Sequence, residues 1–186
     1  MTAGDGESAL HRLAARALDQ LAAAQATLAT AESLTGGLLA ATITSVPGAS
    51  GCYRGGIVAY ATDVKHRFLD VPEEVLQAHG AVSAETAEAM AAGAREGLDS
   101  TYGLATTGVA GPDLQEGKPV GLVYVAVAGP RGNSSGRHHF AGKRAVVRAD
   151  AAGAVLSLLL SELGRSTWGV DENRDLSRSN TTPENT

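Results

Sequence analysis

A mixed, mostly parallel sheet of about five strands with helices on both faces, a three-layer α/β/α sandwich, is the fold this sequence predicts. Three observations predict it. Short apolar runs alternate with helical stretches between Leu10 and Leu163, which is the signature of βα units. The last two runs flank Gly129-Pro130-Arg131-Gly132, a turn signal that makes them a hairpin rather than another parallel crossover. A chain of 186 residues that is 44% hydrophobic can bury a core without covalent help. The lone Cys52 then rules out a disulfide framework and a cysteine-built zinc site.

The elements follow in chain order. Leu10, Leu13, Ala14, Ala17, Leu18 and Leu21 recur at i, i+3, i+4 spacing and mark an amphipathic first helix. Ala26 to Thr30 reads as a buried strand, and Glu32, Ser33, Thr35, Gly36 and Gly37 before LLAATITSV read as strand end, tight turn and helix. Pro47-Gly48 closes that helix. Gly55 to Tyr60 forms a second strand, after which Thr62 or Asp63 can cap the helical DVKHRFL. Pro72, with Glu73 and Glu74 behind it, opens a short helix, and Ser83 caps a long alanine-rich one that runs to about Leu98. Tyr102 to Thr106 is the third strand, Val120 to Ala128 and Arg137 to Phe140 are the hairpin, and Arg144 to Leu163 is the last helix. The domain therefore spans 8–163. Residues 1–7 are expected to be a flexible start, and 164–186, almost free of apolar side chains, a disordered tail.

Charge and composition remove several function classes. Lys+Arg 15 against Asp+Glu 20 leaves a net charge of -5, without the basic excess that phosphate-backbone binding exploits. At 4% aromatic residues, a base-stacking surface is also disfavoured. No apolar run reaches about 18 residues and Met1 to Glu7 lacks a signal-peptide core, so a soluble, cytoplasmic protein without nucleic-acid or membrane partners is expected. His138 and His139 are adjacent on a strand and face opposite sides, and His66 and His79 have no partner at ligand spacing. No metal site is expected.

Three segments can carry chemistry, and all three follow strands. In Thr30-Ala-Glu-Ser-Leu-Thr-Gly-Gly37, Ser33 can be an exposed nucleophile beside unpaired amides, or Ser33 or Thr35 can simply cap the next helix. In Tyr60-Ala-Thr-Asp-Val-Lys65, the lysine can project to the sheet rim beside a helix start that favours its neutral form, or it can be a solvated surface residue. In Thr106-Thr107-Gly108-Val109-Ala110-Gly111-Pro112, glycines let backbone approach a ligand, or make an ordinary loop. Loops beyond the carboxyl ends of parallel strands converge on one crevice, which favours the functional reading of each. Arg144 and Arg148, at i, i+4 on the last helix, form a basic face suited to solvated salt bridges, a phosphate or a subunit contact.

Taken together, Thr30-Ala-Glu-Ser-Leu-Thr-Gly-Gly37, Tyr60 with Lys65, His79-Gly-Ala-Val-Ser83, Gly108-Val-Ala-Gly-Pro112 and Lys118-Pro-Val-Gly121 resemble, in order, the signature set of the CinA C-terminal domain family, the nicotinamide-nucleotide amidohydrolases. The chain resembles the stand-alone form, without the family's molybdopterin-binding-like N-terminal domain. The resemblance implies hydrolysis of nicotinamide mononucleotide to nicotinate mononucleotide and ammonia, with no cofactor, by a homodimer or higher oligomer. It places a serine nucleophile on Ser33, a lysine base on Lys65 and a tyrosine on Tyr60. Oxyanion or substrate contacts then fall to Thr35, Gly36, Gly37, Thr107, Gly108, Ala110, Gly111 and Arg144. Two departures stand out: many members carry cysteine where this chain has Leu34, and the loop Asp113 to Gly117 lacks the family's paired glycines. Leucine is no nucleophile, so either that cysteine is not catalytic or this protein has lost activity; the intact Ser33 favours the first. The departures also motivate two alternatives: a nucleotide-binding or interaction module without turnover, and a serine amidase for another carboxamide.

Overall fold

The structure is a computed structural model that describes the backbone of residues 3–175 and the side chains of 9–165. Its elements run α1 (Ala3–Ala23), β1 (Leu28–Glu32), α2 (Leu38–Thr44), a single 3-10 turn (Ala49–Gly51), β2 (Tyr53–Val58), α3 (Thr62–Leu69), α4 (Glu73–His79), α5 (Ala84–Gly97), β3 (Tyr102–Gly108), β4 (Leu122–Gly129), β5 (Gly132–His139) and α6 (Arg144–Asp175). The five strands form one sheet in the order β2-β1-β3-β4-β5. β1 pairs in parallel with β2 and β3, while β4 is antiparallel to both of its neighbours, so only β4 runs against the rest. The sandwich expected from the sequence is therefore the one observed. The chain leaves β1 toward β2 on one side and returns to β3 on the other, which makes the rim between β1 and β3 the topological switch point of the sheet.

Strand alternation sorts the two faces. Leu28, Leu104, Val123, Val125 and Val127 pack against Leu18, Leu21, Leu156 and Leu159 under α1 and α6. Ala29, Ala31, Ala105, Ala126 and Ala128 face Ala87, Met90, Ala91 and Ala94 of α5. Small residues on both sides of this second layer let backbones close up: a Cβ on Gly103 would lie 2.0 Å from the Ala91 carbonyl oxygen, and one on Gly93 1.8 Å from that of Leu69. The lid of helices α3 to α5 is thus seated close to the sheet.

Several boundaries differ from the expected ones for local reasons. β1 starts at Leu28 rather than Ala26, because the Ala26 amide donates to the Leu21 carbonyl and ends α1, with Gln25 in the left-handed region at φ 51. β2 is Tyr53–Val58 rather than Gly55 to Tyr60. β5 begins at Gly132, since the two-residue turn Pro130-Arg131 forces its polar GNSSG segment into register with β4. Neither Thr62 nor Asp63 caps α3; both lie inside its first turn, and Ala61 occupies the cap position. Ser83 does cap α5, accepting from the Thr86 amide. α1 begins at Ala3, and α6 continues past Leu163 to Asp175, as a helix propagates at little cost once its packed part has nucleated it. The backbone at 3–7 and 164–175 is helical; 1–2 and 176–186 lie outside the described residues. No described helix is long and apolar enough to cross a membrane.

Candidate active site

The carboxyl ends of β1, β2 and β3 deliver Ser33, Tyr60 and Gly108 to one rim. Alternation at the end of β1 sends Glu32 toward α2 and Ser33 toward α3. There Lys65 reaches back under the rim, 1% exposed, and its Nζ lies 3.1 Å from Ser33 Oγ. The same nitrogen donates to the carbonyls of Ala59 at 2.8 Å and Tyr60 at 3.3 Å. Carbonyls only accept, so two amine N–H groups are committed to them and the remaining position on Nζ faces Ser33. A neutral amine has two N–H groups and one lone pair, which fits this arrangement with the lone pair on the serine hydroxyl. Burial pushes the lysine down from 10.5 to about 8, partly opposed by the charge of Glu116. The reading of Lys65 as a solvated lysine is therefore overturned.

Ser33 opens onto a cleft of about 260 Å³ lined by Leu34, Tyr60, Gly108 to Gln115 and Arg144. The Tyr60 ring is exposed, and its hydroxyl accepts from Arg144 Nη2 at 2.7 Å, while Arg144 Nη1 donates to the Gly111 carbonyl at 2.8 Å. Arg144 is thus a cleft residue, not part of a solvated ion pair. Tyr60 touches Lys65 through its carbonyl; its hydroxyl is held by Arg144. Ala110, 5% exposed, and the Gly111 backbone form the wall.

Backbone alternation turns one amide of the rim to the edge where β1 ends. The Val109 amide donates to Leu122 across the β3–β4 ladder, so the N–H of its neighbour Gly108 turns to the opposite edge, where the Ser33 amide donates to Thr106 and β1 has ended. The Leu34 amide has no backbone acceptor among the described residues, and Leu34 is one of the cleft's lining residues. Leu34 was not among the expected donors, and its side chain, 3% exposed, belongs to the core.

Other expected contacts resolve into scaffolding. Neither Ser33 nor Thr35 caps α2. Gly37 sits at that cap, and Glu32, 1% exposed, supplies the oxygens: Oε2 accepts from the amides of Gly37 (2.9 Å) and Leu39 (3.0 Å), and Oε1 from Ala40 (2.8 Å). The Gly36 amide donates to the Ser33 carbonyl. The turn takes Gly36 and Gly37 through φ 58 and φ 92, conformations that glycine adopts without steric cost. Thr35 Oγ1 pairs with Thr106 Oγ1 at 2.7 Å. Thr107 donates its hydroxyl to the Ala81 carbonyl at 2.6 Å, and its amide faces β4 by the same alternation. Gly108 is required by packing, since a Cβ there would lie 2.6 Å from the Leu122 carbonyl oxygen.

The remaining motifs brace the cleft loop. Lys118 Nζ donates to the carbonyls of His79 and Val82, each at 2.8 Å, and the Ala81 amide donates to Glu116 Oε1 at 3.0 Å. His79 to Ser83 and Lys118 to Gly121 thus hold the 112–118 loop against the α4–α5 turn. Cys52 is a small buried side chain near the Leu18 carbonyl. Among the described residues no group of three His, Cys, Asp or Glu side chains could hold a metal ion.

Fold and site together define an open α/β sheet with a buried serine–lysine pair at its switch point. Comparison with known proteins then places it: the chain belongs to the CinA C-terminal domain family, whose sequence model matches residues 10–163. It is 56% identical over 134 residues to a CinA-like protein of Frankia casuarinae, covering 72% of this chain and 31% of that one. A putative competence-damage inducible protein of Desulforamulus reducens is 50% identical, with 71% and 32% covered. The chain thus spans about a third of the length of the curated relatives it matches. Solved structures of matching length exist: a CinA superfamily protein of Klebsiella pneumoniae (TM-score 0.81, 31% identity, 84% of this chain and 98% of that one) and the competence/damage inducible protein CihA of Agrobacterium tumefaciens (0.80, 33%, 84% and 96%).

Proposed function

We propose that this domain is a serine amidohydrolase that converts nicotinamide mononucleotide to nicotinate mononucleotide and ammonia. The observation that carries the reading is the buried Lys65 Nζ, 3.1 Å from Ser33 Oγ, with its other two contacts on carbonyls. Serine is a weak nucleophile at its own pKa and needs an adjacent base, which a neutral lysine supplies. Ser33 Oγ attacks the carboxamide carbon as its proton passes to Lys65. The resulting oxyanion is met by the Gly108 and Leu34 amides, donors fixed before reaction and worth about 3 kcal/mol each in comparable sites. Lys65 returns the proton to the departing nitrogen, which leaves as ammonia. Water, deprotonated by the neutral Lys65, then opens the ester and frees Ser33. Arg144, at the cleft mouth, exchanges its contact with the Tyr60 hydroxyl for the substrate phosphate.

A panel of carboxamides tests the substrate. Ammonia release from the purified protein is expected to be fastest with nicotinamide mononucleotide, slower with its phosphate-free nucleoside, and slowest with free nicotinamide. Equal rates on all three would contradict a role for the phosphate, and none on any would leave a binding module.

A further inference from the structure

The turn that presents Ser33 is short, with two successive residues in the left-handed region, Gly36 and Gly37, and its own backbone closes it only through the Gly36 amide on the Ser33 carbonyl and the Leu38 amide on the Thr35 carbonyl. Two charged side chains hold it from opposite sides. Inside, the Glu32 carboxylate ties the end of β1 to the first turn of α2 through the Gly37, Leu39 and Ala40 amides. Outside, Arg148 reaches in from α6 and donates both Nε, at 3.1 Å, and Nη2 to the Thr35 carbonyl. Its guanidinium lies over the turn, 3.5 Å from where a Cβ on Gly36 would stand. The residue bonded to Lys65 is thus bracketed by an anion on the amides that follow it and a cation on the carbonyl two residues on.

Both interactions also decide what the turn does not do. The α2 N-terminus is a ready anion site, but Glu32 fills it, so neither a substrate phosphate nor an oxyanion is offered those amides. Arg148 spends its Nε and Nη2 on a backbone oxygen, whereas Arg144, one helical turn earlier, faces the cleft.

From this we infer that Glu32 and Arg148 are a pair of positioning residues that fix Ser33 in reach of Lys65, with substrate binding left to Arg144; the inference rests on reading Ser33 as the nucleophile. The two arginines, alike in sequence, then have separable kinetic signatures. Arg148→Lys keeps the charge but loses the two-point grip, and Glu32→Gln keeps the shape but replaces one acceptor oxygen with an amide that opposes the α2 N–H groups. Displacing a reacting group by about 1 Å costs on the order of 10²-fold in rate, so kcat should fall on that scale in each variant while KM stays put.

The test measures kcat and KM with nicotinamide mononucleotide for wild type, Glu32→Gln, Arg148→Lys and Arg144→Lys. In parallel, it follows the rate at which a small fluorophosphonate labels Ser33, read by peptide mass spectrometry. Expected are slowed labelling and lowered kcat for Glu32→Gln and Arg148→Lys, against raised KM for Arg144→Lys. A raised KM with intact kcat and labelling in Arg148→Lys would overturn the inference, as it would mark Arg148 as a phosphate ligand. So would labelling at the wild-type rate in both positioning variants. Circular dichroism identifies any variant that fails to fold; should Glu32→Gln do so, Arg148→Lys carries the comparison. Labelling needs no carboxamide, so a wrong substrate would silence turnover while leaving this comparison intact.

Discussion

Changing pH at fixed substrate titrates Lys65. At a pKa of about 8, about a tenth of the lysine is neutral at pH 7 and about nine tenths at pH 9. At the ordinary 10.5, only about one in 3,000 would be neutral at pH 7. Burial therefore raises the reactive fraction at pH 7 by roughly 300-fold, equivalent to about 3 kcal/mol. Only the neutral amine can take the Ser33 proton, so kcat/KM should rise about tenfold from pH 7 to 9 and then level off. Because kcat/KM reports the free protein, the midpoint belongs to Lys65 without substrate, and a phosphate with its second pKa near 6 is already about nine tenths doubly ionised at pH 7, so it adds little to the rise. The assay is continuous ammonia detection at subsaturating nicotinamide mononucleotide in buffers of constant ionic strength. A profile flat from pH 7 to 9, or one still climbing steeply above pH 10, would refute the argument that a buried, neutral Lys65 is the base.

Three further outcomes follow from the same geometry. The depressed Lys65 pKa also couples to stability: between about 8 and 10.5 the unfolded chain holds a proton that the folded chain has lost, so folding gains as pH rises and the burial penalty stands in full below 8. Chemical denaturation of wild type and Lys65→Met at pH 7 and pH 10.5 should show the wild type gaining on the variant by about 3 kcal/mol; a constant difference would contradict it. Leu34→Cys should lower stability by about 1 to 3 kcal/mol without raising activity, because this side chain is core; activity from Leu34→Cys in a Ser33→Ala background would show otherwise. Gly93→Ala would press a Cβ on the Leu69 carbonyl and should cost about 3 kcal/mol or more by thermal unfolding, against little change for Gly97→Ala, where nothing stands within 4 Å.

The parts of this molecule that could be read from sequence are those where a local pattern has a single physical outcome. The i, i+3, i+4 leucines of α1, the Ser83 cap and the Pro130-Arg131 hairpin turn each determine their own neighbourhood. The convergence of Ser33, Tyr60, Lys65 and Gly108 was also legible, because parallel strands must deliver their following loops to one rim. What stayed hidden depends on which polar group wins a contested partner. Glu32 precedes a serine and a threonine, both good caps, yet it takes the α2 amides because the strand points its side chain at them and a carboxylate accepts several bonds at once. Arg144 and Arg148 share one helix face in sequence, and only the positions of Tyr60 and Thr35 separate a cleft arginine from a turn-holding one. The glycines carried no mark of their cause. Gly36 and Gly37 serve a turn, whereas Gly93, Gly103 and Gly108 serve close packing. Tyr60 lies where the motif implies, but its hydroxyl partner is set by α6, more than eighty residues away.

The account stands on Ser33 as a nucleophile activated by Lys65, and one measurement tests that most directly: ammonia released from nicotinamide mononucleotide by wild type, Ser33→Ala and Lys65→Met at pH 8.5. One ammonia per nicotinate mononucleotide from the wild type is expected, with losses on the order of 10³-fold or more in each variant. Turnover by Ser33→Ala at the wild-type rate would contradict the account.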